Sequence, residues 1–183
     1  SDSTLILQDM TQKGMPLTNY RFFINNGNSF WYRDCGPVAF YYGEEDQIGF
    51  MDFEYYGGRP LDDLIAKRIG EQAGFNVYTT TIEYEGGNIL VDGLGSLFTS
   101  SAVYALNADR YGLYYLTPNN QLGQQTKTPL TKQQVNDSLT HLMNLDRCVV
   151  LPELLYDGGT GHIDLYADMV DEATFVSTKH PDV

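Results

Sequence analysis

The sequence predicts a mixed α/β (α+β) fold in a single domain spanning 1–183. Three observations lead there. Short apolar runs with a period of two are interrupted by two segments of helical period, Leu61–Ala73 and Thr131–Leu145, giving the order strands, helix, strands, helix, strands. Apolar residues make up 42% of the chain, enough for a packed core and too many for a disordered one. The 14 Tyr and 9 Phe favour pleated, half-buried strands with aromatic-lined clefts.

Taken in order, the chain opens with a polar stretch, Ser1–Asn19, read as irregular apart from the apolar burst Leu5-Ile6-Leu7. Tyr20–Asn25 reads as a strand and Asn26-Gly27-Asn28 as a turn. Ser29–Arg33 and Val38–Tyr42 read as strands around the break at Gly36-Pro37, and Ile48–Tyr55 as another. Leu61–Ala73 is a helix because Leu61, Leu64, Ile65 and Ile69 share one face, and Gly74 supplies the stop. Asn76–Tyr84 is a strand, Glu85–Asn88 a turn or bulge, and Ile89–Val91 pairs with Ser96–Thr99 across Asp92-Gly93-Leu94-Gly95. Ser100–Asn107 is a short helix. Tyr111–Gln125 carries little pattern. Thr131–Leu145 has the strongest helical signal: Thr131 and Gln134 have capping-box spacing, and Val135, Leu139, Leu142 and Met143 form the buried stripe. Val149–Leu151 is a strand, and His162–Val170 pairs with Ala173–Ser177 across Asp171-Glu172. A unit of strand, hairpin and helix recurs without a tight sequence period, with glycines near Asp34, Asn88 and His162.

Charge narrows the function. A formal net charge of −13 argues against nucleic acid and against anionic membrane surfaces, and favours a cationic substrate. No apolar run is long enough to span a bilayer. One His among scattered Asp residues lacks zinc-ligand spacing. No EF-hand pattern surrounds Asp157-Gly158-Gly159, and no Walker A or dinucleotide fingerprint occurs. No metal and no cofactor is therefore expected.

The chemistry concentrates in Gly159-Thr160-Gly161-His162-Ile163-Asp164. A period-two reading puts His162 and Asp164 on one strand face, where they can move protons and hold a cation. Two further glycine-flanked stretches carry polar groups: Trp31-Tyr32-Arg33-Asp34-Cys35-Gly36-Pro37 and Glu85-Gly86-Gly87-Asn88. Two aspartates and a histidine in one pocket suit a planar, delocalised cation, because each carboxylate accepts two parallel hydrogen bonds from a guanidinium edge. Trp31 can cover its face. Arg33 reads as a structural ion-pair partner ahead of a catalytic group. Glu85 and Asn88 read as turn residues, and His141 as a surface residue of the second helix.

These blocks, with Asp92-Gly93, resemble the signatures of guanidine-modifying enzymes, in particular bacterial peptidylarginine and agmatine deiminases. Met51-Asp52-Phe53-Glu54-Tyr55, Arg59-Pro60-Leu61-Asp62-Asp63 and the ending Thr178-Lys179-His180-Pro181-Asp182 are similar to the Porphyromonas-type branch. The resemblance implies an α/β propeller of ββαβ-type blades, here incomplete at its C-terminal side. It implies that Asp34 and Asp164 bind the guanidinium, that His162 is the general acid/base, and that Trp31, Arg59 and Asn88 contact substrate, with Arg59 on a substrate carboxylate. Gly57 stands where that branch has a second arginine, a departure from its pattern.

The family's nucleophile is a cysteine in a Gly-rich His-Cys block, and no such block follows His162. Cys35, adjacent to Asp34, is expected to face away from it, and Cys148 to lie in the core. The expectation is a portion of an arginine-type deiminase, inactive alone, whose cysteine comes from outside these residues, for instance from a second chain. Agmatine deiminase and a non-catalytic guanidinium or arginine-peptide binding module stay open as alternatives. The start at Ser1 without Met is expected to be processed, tag-derived or cut, and a secreted or periplasmic location is expected over a cytoplasmic one.

Overall fold

A computed structural model describes residues 2–55, 58–108, 113–116, 122–125, 128–154 and 159–178. Gly57 and Lys179–Asp182, singled out above, lie outside the described residues. Two units of the same build follow one another. In the first, β1 (Val38–Tyr42) and β2 (Gln47–Glu54) form an antiparallel hairpin. Helix α3 (Ile65–Ala73) then carries the chain back so that β3 (Asn76–Glu83) lies parallel to β2. In the second, β4 (Leu90–Val91) and β5 (Ser96–Ser100) pair antiparallel, and β8 (Arg147–Leu151) lies parallel to β5 after a crossover through α4 (Ala102–Ala108) and α5 (Lys132–Leu142). Between those helices sits a small hairpin, β6 (Leu113–Leu116) with β7 (Leu122–Gln125). A last hairpin pairs β9 (Ala167–Asp171) with β10 (Thr174–Ser177) antiparallel. The sheets have two or three strands each, and among the described residues none closes into a barrel.

Local chemistry sets the boundaries. Gly74 ends α3 in the left-handed region at φ 80°, which a residue with a Cβ resists. At the start of α5, Thr131 Oγ1 accepts from Gln134 N (3.2 Å) while Thr131 N donates to Gln134 Oε1 (2.8 Å), completing the box that the spacing predicts. The main core lies between the second sheet and its helices: Ile82, Tyr84, Leu97, Val103, Val135 and Leu139. A smaller one gathers Cys35, Tyr55 and Ile65. No helix among the described residues is long and apolar enough to cross a membrane.

Four local expectations need correction. The opening is a helix, α1 (Asp2–Gln12), because its Leu, Ile and Met recur at helical spacing within a polar stretch. Tyr20–Asn25 takes no regular structure and joins no sheet; its polar groups bond to the Gln72 side chain of α3 instead. Ser29–Arg33 is no strand, since Tyr32–Cys35 closes a helical turn, α2, with Asp34 N and Cys35 N donating to Trp31 O. His162 is extended and caps a 3-10 turn at Ile163–Leu165, so the strand starts only at Ala167. In the last two cases a short alternating pattern is satisfied by a helical turn that lacks a ladder partner.

Leu139→Ala should destabilise the domain by about 2–5 kcal/mol through the cavity it leaves. Thr131→Ala should cost about 1 kcal/mol through the lost cap. Urea midpoints of the two variants check both values.

Candidate active site

The two completed units and the last hairpin are each entered through a turn, and the three turns meet. Asp34 sits on α2, just before β1. Glu85 precedes the 3-10 turn Gly86–Asn88, just before β4. His162 and Asp164 lie just before β9. Gly87 is the meeting point. A Cβ built there would lie 2.8 Å from Asp34 Oδ1 and 3.0 Å from Asp164 Oδ2, and would press on His162 Nδ1 as well. Gly86 is equally confined, against Arg33 O. Close approach of backbone therefore requires both glycines. Gly87 N also donates to Asp34 Oδ1 at 3.2 Å.

His162 is 5% exposed, yet its ring has carboxylates on both sides. Nε2 lies 3.0 Å from Glu85 Oε2, and Nδ1 lies 3.6 Å from Asp34 Oδ1. An ionised carboxylate only accepts, so in the neutral ring Nε2 carries the proton and donates it to Glu85. That leaves Nδ1 as the lone pair facing Asp34, Asp164 and Gly87. Burial pulls the His162 pKa down, but the Glu85 hydrogen bond and charge, with the charges of Asp34 and Asp164, outweigh it, and the net shift is upward. The Asp34 pKa is raised by burial, with His162 and Gly87 N–H opposing and Glu85 and Asp164 adding. Three carboxyls around one imidazole make a site that stabilises positive charge.

Further residues hold this arrangement. Asn88 is 1% exposed, and its Oδ1 accepts from Ser100 N at 2.9 Å and Ile163 N at 3.2 Å. Its amide is thus turned to the His162 turn and β5, a staple where a substrate contact was expected. Ser100 Oγ donates to Gly161 O, fixing the same turn from below. Gly161 has φ 66°, and its Cβ position is crowded by Glu153 and Ala102.

Cys35 and Asp34 diverge as adjacent positions of a helical turn do. Cys35 is buried with Tyr55 and Ile65, and its Sγ donates to Trp31 O at 3.3 Å. Burial first, then the charge of Asp62, push its thiol up to about 11, far from the thiolate a nucleophile needs. Cys148 is half-buried against the main core. Trp31 is half-exposed and stacks on Phe30 at 4.5 Å. Arg59 is half-buried; its Nη1 lies 3.4 Å from Tyr55 Oη, and its charge reaches the Cys35 thiol.

Asp34, Glu85 and His162 bring donor atoms within 4.8 Å of one another, a spacing that a metal ion could use. The two carboxylates lie on opposite ring nitrogens, however, so a cation on either lone pair would find one carboxylate on its side. The array reads as hydrogen-bonded. A separate cavity of about 680 Å³ lies between β1, β4 and the end of α5, lined by side chains such as Val38, Phe40, Met51 and Leu142, away from His162. Sequence reasoning missed Glu85 as the partner of His162. Its Glu-Gly-Gly context was the available signal, since only glycines let that turn approach the ring.

The family model for Porphyromonas-type peptidyl-arginine deiminase matches residues 3–183. A Shewanella baltica protein, provisionally named an agmatine deiminase, is 31% identical over 163 residues, covering 84% of this chain and 39% of that protein. The agmatine deiminase of Enterococcus faecalis superposes with TM-score 0.68 at 22% identity, over 96% of this chain and 47% of that one. The C. jejuni agmatine deiminase gives TM-score 0.61 at 22% identity, over 92% and 44%. The chain spans about two fifths of that curated relative and about half of these structures. At such identity the structural likeness speaks for the fold.

The raised His162 pKa has a definite sign. Its contribution to stability is full below the unfolded imidazole value of about 6.5 and is lost as pH rises through the folded value. In an NMR titration His162 should protonate above that unfolded value, and Glu85→Gln should bring it down. A thiol-directed haloacetamidine should leave Cys35 unmodified at neutral pH, as read by intact mass.

Proposed function

The chain belongs to the Porphyromonas-type peptidyl-arginine deiminase family, and from that premise we propose that it forms the guanidinium-binding and acid/base part of a deiminase. The observation that carries this reading is the convergence of Asp34, Asp164 and His162 on Gly87. Two carboxylates accept the N–H groups on two edges of a guanidinium, and His162 Nδ1 lies beside them. Domain 1–183 is then one part of an α/β propeller, a reading supported by the repeated ββαβ unit. The nucleophilic cysteine comes from outside these residues, on a turn equivalent to those bearing Asp34, Glu85 and His162.

In this mechanism a thiolate adds to the guanidinium carbon, and the tetrahedral adduct collapses with expulsion of ammonia, protonated from His162 Nδ1. The thiouronium that remains is attacked by water, whose proton His162 takes. Breaking the C–S bond returns the thiolate and, with loss of the remaining hydroxyl proton to solvent, releases the ureido product. Glu85 keeps Nε2–H tied, so proton traffic passes through Nδ1. Asp34 and Asp164 hold the cation through both tetrahedral steps. Trp31 packs on the substrate, and Arg59 binds a carboxylate at its far end, which favours arginine or an arginine peptide. The agmatine deiminase names of the relatives support agmatine as the alternative. The ammonium end of agmatine would meet Arg59 unfavourably, and comparing turnover of the two substrates by the complete enzyme decides between them. A non-catalytic binding module is the reading left if no cysteine-bearing segment restores turnover.

The isolated chain should bind arginine and form no ureido product. Adding a cysteine-bearing partner chain should restore colorimetric citrulline formation. Asp164→Asn should weaken arginine binding by about tenfold or more, as expected for lost hydrogen bonds to a charged group. Steady turnover by this chain alone, surviving Cys35→Ala and Cys148→Ala together, would overturn the assignment.

A further inference from the structure

The Asn26-Gly27-Asn28 turn signal and the buried Asp62 are not used by the chemistry above, yet they lie against each other. The irregular segment from Arg21 to Ser29 runs antiparallel to α3 and is tied to it by hydrogen bonds. Ile24 N donates to Gln72 Oε1 at 3.2 Å. Arg68 Nη1 donates to Asn26 O at 3.0 Å. At the far end stands Asp62, 0% exposed. Its Oδ1 accepts from Asn28 N (2.6 Å) and Ser29 N (3.2 Å), and its Oδ2 accepts from Ser29 Oγ (2.7 Å). Asn28 returns the contact, its Oδ1 accepting from Leu61 N at 2.7 Å. A Cβ on Gly27 would lie 2.8 Å from Asp62 Oδ1 and 3.3 Å from Ile65 Cδ1, so only glycine lets the turn close on the carboxylate.

What hangs on either side of this latch matters. Ser29 Oγ lies 3.4 Å from Trp31 N, and Trp31 O in turn receives Asp34 N at 3.1 Å. Upstream of Asp62, its own N–H and that of Asp63 donate to Arg59 O at 3.0 and 3.1 Å, and Asp63 Oδ1 accepts from Tyr55 N at 2.7 Å. Asp62 therefore joins the turn carrying Trp31 and Asp34 to the loop carrying Arg59. A buried carboxylate costs several kcal/mol unless its lone pairs are filled, and here they are filled from one short segment, so the two pieces are held at a single spacing.

We propose that Asp62 is a positioning residue that sets the distance between Asp34 and Arg59 and so selects guanidines bearing a carboxylate at that reach. The proposal rests on the reading that these two residues grip opposite ends of the substrate. A ligand held only at its guanidinium end is indifferent to that distance, whereas one held at both ends is not.

The test compares arginine with methylguanidinium by calorimetry and follows the emission of Trp31, the sole tryptophan. Asp62→Ala should weaken arginine by about tenfold, as for lost hydrogen bonds to a charged group, leave methylguanidinium within about twofold, and change the emission and acrylamide quenching of Trp31. Asp62→Asn, whose amide can keep the same partners, should restore all three. Ser29→Ala removes the hydrogen bond to Asp62 Oδ2 while the carboxylate keeps its two backbone donors, and it should move the same readouts in the same direction if Asp62→Ala does not fold. Equal loss of both ligands, or unchanged affinity and Trp31 emission in Ser29→Ala, would overturn the proposal. If the wild-type chain binds neither ligand, the guanidinium reading fails. The latch is then decided by Trp31 emission alone, and no change in either variant refutes it.

Discussion

The absence of a side chain at Gly87 is the constraint on which the site depends. Asp34, Asp164 and His162 approach the same small volume from three separate turns, and any Cβ there would displace at least one of them. The backbone itself takes part, since Gly87 N donates to Asp34. A hydrogen bond from a backbone amide orients a carboxylate without adding charge, which suits a site that must keep its net negative potential for a cation. Gly86, confined by Arg33 O, extends the same logic to the neighbouring turn.

The repeated unit explains how distant residues reach that point. In each, the chain enters its first strand through a turn at the same end of the sheet, and the side chains with chemistry sit on those turns. Loops can carry such groups because the sheets beneath are fixed by cores such as Tyr84, Leu97 and Leu139. Precision comes from buried polar staples at the turns. Asn88 ties the His162 turn to β5, and Asp62 ties the Asp34 turn to the Arg59 loop. Each is fully buried and fully engaged, and each would be costly if half-satisfied. Precise placement and stability thus draw on the same hydrogen bonds.

Electrostatics separates the two kinds of titratable group at the site. Cys35 and Asp34 are sequence neighbours, yet one is a raised, inert thiol packed on Tyr55 and Ile65 and the other a carboxyl facing the histidine. A single helical turn rotates them apart. His162 is held charged-ready by Glu85 on one nitrogen, with the other nitrogen left toward the pocket. Burial alone would have pulled its pKa down, and the surrounding carboxylates decide the direction.

The sequence alone determined the mixed class, the alternation of strands with the two longer helical segments, the bounds of β1, the stop at Gly74 and the capping box of α5, because these follow from short-range periodicity, positive-φ glycine and side-chain capping. It also singled out Asp34, His162 and Asp164, since glycine-flanked polar residues stand out against strands. The tertiary structure decided what short-range patterns cannot encode. Residues 20–25 alternate like a strand but find a helix for a neighbour, so their polar groups bond to Gln72. His162-Ile163-Asp164 alternates too, yet closes a 3-10 turn, because Asn88 and Ser100 from a distant turn and strand hold it there. Glu85 became the partner of His162, and Asn88 and Asp62 became staples, only once segments up to 77 residues apart were in contact. Burial and partner identity belong to those contacts, and no local spacing in the chain specifies them.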